Sequence, residues 1–267
     1  MNIITVTSDW SECDYYLPRL TGELYSLLPE VKVVNITHTV HAFNLPEACF
    51  ILKNSYKSFP PGTIHLLAVN SEPSPERPMV LVKYNGHWFV FPDDGRFALL
   101  LEPDKFPPPA QACRLPLPGE SSTFLACGLF VKAAELITGQ KIASGTEPHR
   151  LKLAGCDIPS VTGDRIVGRV VYIDSYGNAI TNISKEVFAR GYINRKANVE
   201  YDPGFVIYVQ GPYLKIYNIY TDYNQVHSGG TVALFNSAGL LELAINNGNF
   251  AKVENIDTTA EITIKFT

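Results

Sequence analysis

Charge is scarce in this chain: 18% of its 267 residues are Asp, Glu, Lys or Arg, and the formal net charge is −4. Its Lys and Arg residues are scattered, so no basic field exists to hold nucleic acid, and no such partner is expected. No apolar run reaches the ~18 residues a membrane helix needs, so no membrane span is expected either. The opening Met1–Thr7 reads as a strand, without the basic start and small-residue cleavage site of a signal peptide. Glycine-rich phosphate loops are missing, since nothing matches GxGxxG or a Walker A run. That argues against a ligand gripped by its phosphates and leaves a nucleoside open. The five cysteines, Cys13, Cys49, Cys113, Cys127 and Cys156, are odd in number, far apart and without metal-like spacing. Reduced thiols in a cytoplasmic protein are the simplest reading, with no metal and no resident cofactor.

What is present is an apolar fraction of 46%, enough for one large or two modest cores. The first 140 or so residues alternate strand-like and helix-like stretches. Strands are expected at Ile3–Thr7, Val31–Ile36 and Thr63–Val69, and helices at Tyr15–Leu28 and Leu45–Phe59, the latter closed by Pro60-Pro61-Gly62. Val80–Tyr84 and Trp88–Phe91 flank Asn85-Gly86 as a hairpin. Phe106–Gly119 is Pro-rich and extended. Ser121–Thr138 reads as a helix with Ser121 or Ser122 as cap and Gly139 as terminator. This predicts an α/β domain with a mostly parallel sheet over residues 1–145. Residues 146–164 read as a linker. Short alternating segments follow at 169–173, 205–209, 214–217, 231–235, 240–245 and 261–266, which predicts an antiparallel β-barrel domain, or a sandwich, over 165–267.

Two segments suit a flat polar ligand. In Tyr172–Ile183, Tyr176 offers a stacking face, Gly177 close backbone approach, and Asn178 a donor and an acceptor for one ring edge. Asp174 can meet a cation on the same ligand. An ordinary hairpin corner explains the same residues. In Phe235–Asn249, Ser237 and the amides near Asn246 and Asn247 can hold a polar ligand end. Elsewhere, Asp9 follows the first strand, where open α/β sheets bind ligands, and can take both hydroxyls of a ribose or simply cap the next element. His38 is either a base or a strand-end histidine held by its surroundings. Asp93 and Asp94 read as turn residues rather than a cation site. Arg77, on the loop after Thr63–Val69, faces an anion or solvent.

Taken in order, these segments resemble the S-adenosylmethionine hydroxide adenosyltransferases, a family that also contains fluorinating and chlorinating enzymes. The family's Thr-Thr-Asp-Phe-Gly-x-x-Asp-x-Tyr opening is matched by Thr7–Tyr16, its Asp-Ile-Thr-His by Asn35–His38, and its Phe-Pro-x-Gly-Thr-Val-His by Phe59–His65. Its Pro-Asp-Asn-Gly corresponds to Pro92–Gly95, its Asp-x-Phe-Gly-Asn-x-x-Thr-Asn to Asp174–Asn182 with Tyr for Phe, and its Asn-Ser-x-Gly-x-Leu-Glu-x-Ala to Asn236–Ala244. The resemblance implies a homotrimer with sites between one subunit's first domain and its neighbour's barrel. S-adenosylmethionine is the implied substrate or ligand, split by displacement at C5′ into adenosine and L-methionine. Carried over, Asp9 would hold the ribose with Phe43 beside it. Tyr176, Asn178 and the backbone around Asn247 would take the adenine, and Asp174 and Ser237 would face the methionine amino and carboxylate groups.

The chain departs from that pattern where water would be activated. The loop expected to read Val-Asp-Pro-Gly-Val-Gly-Thr-x-Arg is Val69–Arg77, with Asn70 for the acid. The helix start expected to read Thr-Phe-His-Gly-Arg-Asp is Thr123–Gly128, with Leu125 for the histidine. Of the implied Asp, Arg and His, only Arg77 remains. Two expectations follow: a hydrolase with Asn70 and Arg77 at its centre and a rearranged base such as Glu72 or Glu76, or a nucleoside-binding protein without catalysis. Ala126 lacks the hydroxyl that halide-using relatives present.

Overall fold

The computed structural model of the protein describes residues 2–101, 111–119, 122–152, 158–198 and 204–267, in two units, Met1–Cys156 and Asp157–Thr267. Among the described residues no helix is long and apolar enough to cross a membrane.

In the first unit, β1 (Ile3–Ser8), α1 (Tyr16–Leu27), β2 (Lys32–Thr37), α2 (Leu45–Ser55) and β3 (Ile64–Ala68) alternate along the chain. They are followed by the hairpin β4 (Met79–Tyr84) and β5 (His87–Pro92), then α3 (Phe97–Leu100), β6 (Gln111–Arg114), α4 (Leu125–Thr138), α5 (Ile142–Gly145) and β7 (Glu147–Pro148). The sheet order is β2-β1-β3-β5-β4-β6-β7. β1 pairs parallel with β2 and β3, and β3 with β5, while β4, β6 and β7 join antiparallel. β3 is apolar at nearly every position because both faces of the sheet are covered. Leu66 packs with Leu20, Leu24 and Phe130 on one side, and Leu67 with Cys49, Leu52 and Phe91 on the other. A polar ladder crosses this core: Thr5 Oγ1 to His65 Nδ1 at 2.7 Å, then His65 Nε2 to His87 Nδ1 at 3.2 Å.

Two expected elements differ. The helix expected from Ser121 begins at Leu125, and Ser122 Oγ instead accepts from Phe124 N at 3.1 Å; Ser121 lies outside the described residues. Of the stretch 106–119, residues 106–110 lie outside the described residues, and 111–114 form β6 against β4. Of the stretch 146–164, Glu147–Pro148 pairs with β6, and residues 153–157 lie outside the described residues.

In the second unit, β8 (Ser160–Thr162), β9 (Arg165–Ile173), β10 (Ala179–Ser184), α6 (Lys185–Lys196), β11 (Phe205–Val209) and β12 (Leu214–Ile216) come first. β13 (Thr231–Phe235), β14 (Leu240–Ile245), α7 (Phe250–Val253) and β15 (Glu261–Phe266) complete it. The antiparallel order β12-β11-β15-β9-β10-β14-β13 curls into a nearly closed barrel, with β8 added to β9. Its interior holds Ile166, Val170, Leu241, Leu243, Ile262, Ile264 and Phe266. Helix α6 falls in a region read as strands only. Ser184 Oγ caps it on Val187 N at 3.2 Å, and Gly191 lets it lie close to the sheet, since a Cβ there would meet Ile166 and Phe266 at 2.8 Å.

Candidate functional site

The parallel strands β1, β2 and β3 end on one edge, Thr7 beside Thr37 and Ser8 beside Ala68. Such edges collect loops that are free to carry polar groups. Asp9 follows β1 directly and is half-buried. Its Oδ2 accepts from Phe43 N at 2.9 Å and from Asn70 N at 3.2 Å, drawing together the loops after β2 and β3. Its Oδ1 takes no hydrogen bond from a described residue. Phe43 (φ 64°) and Asn70 (φ 46°) both sit in the left-handed region, an uncommon backbone for a bulky aromatic. Phe43 is 70% exposed, so no packing holds its ring.

Behind Asp9 the loops rest on two guanidinium groups. Arg77 Nη2 donates to Asn70 O at 2.6 Å and Arg96 Nη1 to Val69 O at 2.7 Å. Arg96, fully buried, holds Asp94 through Nε at 2.8 Å and Nη2 at 2.5 Å, and Arg77 stands 3.4 Å from the same carboxylate. Burial alone would raise the Asp94 carboxyl, but the hydrogen bonds and charge of Arg96, with Arg77 behind it, hold it below its ordinary range. Asp93 is buried against His149 Nε2 at 2.7 Å and Lys152 N at 3.0 Å. The Pro92–Gly95 turn is thus an ion-pair junction, and among the described residues no group of acids, histidines and cysteines is arranged to hold a metal.

His38 is buried, with Nδ1 2.7 Å from Ser8 Oγ, and its carbonyl accepts from Ser11 N at 3.0 Å. Burial pushes its imidazole below the ordinary value. It fits the strand-end role, bracing the turn that carries Asp9. Glu72 reaches from the loop after β3 to α4, its Oε2 accepting from Leu125 N at 3.1 Å. A concavity of about 430 Å³ lies at the opposite, amino edge of the strands, between Asn2, Gly62, Lys83 and Trp88, away from the Asp9 corner.

In the second unit the β9–β10 turn is self-organised. Asp174 Oδ1 accepts from Tyr176 N and Asn178 N, both at 2.9 Å, and its Oδ2 accepts from Asn178 Nδ2 at 3.0 Å. Gly177 carries φ 84°, and any Cβ on it would stand 2.1 Å from the Asn249 side chain. Tyr176 is consequently thrown outward, 77% exposed. Asn178 is buried; its side-chain amide donates to Asp174, and its backbone carbonyl accepts from Asp174 N at 3.1 Å. Asn247 (φ 56°) follows the end of β14 adjoining this turn, where Ala251 N donates to Gly177 O at 2.9 Å. Ser237 is exposed on the β13–β14 turn, at the other end of β14, where Lys185 N donates to Gly239 O. Asp174, Tyr176, Asn178 and Asn247 are therefore brought together, and Ser237 is not, lying beyond the opposite end of the six-residue strand β14.

Sequence reasoning missed the residues between them. Glu242 is buried on the face of β14 opposite Leu241 and Leu243, accepts from Tyr223 OH, and takes Asn236 Nδ2 at 3.0 Å. Burial, and then the bond to Glu242, push the Tyr223 phenol well above its usual range. An acid flanked by leucines in an apolar strand is the signal that was available for Glu242. Arg96, directly after a Gly turn, gave none.

Residues 4–151 match the SAM hydroxide adenosyltransferase N-terminal domain and residues 168–263 its C-terminal domain. The chain belongs to this family. Curated relatives include the (R)-S-adenosyl-L-methionine hydrolase of Methanocaldococcus jannaschii, 25% identical over 99% of this chain and 96% of that one. The protein of the same name from Thermus thermophilus is 28% identical over 93% and 94%. Similar solved structures include an uncharacterized conserved protein from Thermotoga maritima (TM-score 0.82, 24% identity, 99% and 100% covered). A conserved hypothetical protein from Thermus thermophilus is also similar (TM-score 0.71, 23% identity, both chains fully covered). At those identities the structural likeness is one of fold. In this member of the adenosyltransferase family, Asn70 and Leu125 lie at the end of β3 and the start of α4, with Glu72 bonded to the Leu125 amide.

Proposed function

We propose that this protein binds S-adenosyl-L-methionine and splits it slowly into adenosine and L-methionine, water displacing the sulfonium at C5′. The observation that carries the reading is the Asp9 corner. A half-buried carboxylate spends one oxygen on the Phe43 and Asn70 amides and keeps the other for a ligand, beside an exposed aromatic ring. A carboxylate oxygen so placed accepts from vicinal ribose hydroxyls, and the ring covers the sugar. In the barrel unit, Tyr176 stacks on the adenine, Asn178 and the backbone at Asn247 read its edge, and Asp174 and Ser237 face the amino-acid end. The sulfonium leaves as a neutral thioether and needs no acid. The work left to the protein is alignment of water with C5′ and removal of its proton. Arg77 and Asn70 line the loop where that water would sit.

A binding protein without turnover is the second reading, favoured by Asn70 and Leu125, neither of which can take a proton. Absent base assistance typically costs about 10²–10⁴-fold in rate. Incubating purified protein with S-adenosylmethionine, with products separated by chromatography and thermal stabilisation recorded alongside, distinguishes the two. Adenosine and methionine in equal amounts support the hydrolase, and stabilisation without product supports the binder. Neither effect would refute both. We further read the protein as a cytoplasmic homotrimer in which different copies supply the two halves of each site. Light scattering at the elution peak tests the oligomer, and a monomer that still binds the ligand refutes it.

A further inference from the structure

We propose that Glu72 is the group that takes the proton from the attacking water, a role resting on the hydrolytic reading above. Among the described acids at the carboxyl edge of the first unit, Glu12 and Asp14 are exposed on the loop after β1, and four others are held by neighbouring groups, Asp9 through one oxygen only. Asp9 holds two loop amides, Asp94 is locked by Arg96 and Arg77, and Asp93 is buried on His149. Glu76 is exposed, and its own amide and Ser74 Oγ at 3.0 Å hold it below the usual carboxylate range. Glu72 is exposed as well, but the amides it accepts from belong to α4, not to its own loop. It lies two residues after Asn70 and carries its carboxylate to the first turn of α4, where Leu125 N donates at 3.1 Å. The start of α4, where Leu125 stands, thus has a carboxylate brought by the β3 loop, although position 70 is an amide.

Partial burial raises the Glu72 carboxyl, and the amides of Ala126 and Leu125 only partly offset this. The titratable groups facing it are Tyr16 from α1 and Cys127 from α4, itself pushed up by burial to about 12. Both are neutral near pH 7, and among the described residues no cation contributes to holding the carboxylate in its charged form. A carboxylate raised toward neutrality and open to solvent is a better base than an ordinary one. In the step, a water oxygen bonds to C5′ as the C5′–S bond breaks and its electron pair goes to sulfur. The water proton moves to Glu72, which later releases it to solvent.

The test is Glu72→Gln beside Glu72→Asp. Glutamine keeps an acceptor for the Leu125 amide, so the fold and the thermal shift given by S-adenosylmethionine should persist, while adenosine formation falls about 10²–10⁴-fold. The wild-type rate should fall as pH drops through the carboxyl's range; the Gln variant should lose that dependence and the Asp variant keep it. Adenosine release by Glu72→Gln at the wild-type rate with an unchanged pH profile overturns the assignment and leaves the hydrolase reading standing. A wild-type rate that stays flat as pH falls through and below the ordinary carboxylate range also overturns it. Binding without any wild-type adenosine release removes both.

Discussion

Replacing Asp9 by alanine tests the most demanding part of the site, because the carboxylate is structural and ligand-facing at once. In the free protein Oδ2 accepts at 2.9 Å from Phe43 N and at 3.2 Å from Asn70 N, and both residues have positive φ. Hydrogen bonds to a charged acceptor contribute roughly 1.5–3 kcal/mol each. Here one oxygen serves both donors and Asp9 is only half-buried, so we take about 2–4 kcal/mol for the pair. For a unit of this size each kcal/mol shifts Tm by about 2–4 °C, giving a loss of roughly 4–16 °C in the first unit's transition. Asp9→Asn keeps a carbonyl oxygen for the two amides and should lose less than half as much. Both variants should lose the stabilisation that S-adenosylmethionine gives the wild type, since neither offers the ribose a carboxylate. The measurement is near-UV circular dichroism melting with and without ligand. If Asp9→Ala melts with the wild type, the two amides are not held by Asp9. If Asp9→Asn retains full ligand stabilisation, the carboxylate is not a ligand contact.

Three further outcomes are expected. The Asn70→Asp, Leu125→His double variant should raise adenosine release most in the Glu72→Gln background, by up to about 10²–10⁴-fold, and less where Glu72 already serves as base, because the left-handed backbone at 70 tolerates Asp as it does Asn; a flat response in both argues for a different ligand. Gly177→Ala should destabilise the barrel unit by about 2 kcal/mol or more from its positive φ and the contact with Asn249, read as a lower midpoint in urea; wild-type behaviour would show that the turn is not fixed. His65, buried between Thr5 and His87, is lowered to about 3, below its unfolded value near 6.5, so the fold favours its neutral form. Stability is therefore full above pH 6.5 and falls as pH drops, by about 2 kcal/mol at pH 5, and His65→Gln should show a shallower slope in that window.

The strands around the first unit's core were legible because β1 and β3 are short apolar runs between helical stretches, and the barrel strands because Gly and Asn turns punctuate them. Helix α6 was not. Its cap at Ser184, Glu186 in its first turn, and Arg195 with Lys196 in its last were present, but its buried stripe is narrow and the chain around it reads as short strands. β6 hid behind the Pro-rich stretch, since it takes its hydrogen bonds from β4 and shows little pattern of its own. Helix α4 was expected to be capped by a nearby serine. The carboxylate at its start instead comes from Glu72, 53 residues earlier in the chain.

Sequence alone determined the two kinds of layer, since hydrophobic period and turn residues are local properties. It also determined the types of polar residue at the candidate site, including the amide at 70 and the leucine at 125. Which oxygen of Asp9 is committed, which arginine is buried under the β3 loop, and which glutamate meets α4 were decided only by the tertiary structure. Each depends on groups tens of residues apart meeting at less than 3.5 Å, and no local pattern encodes that distance.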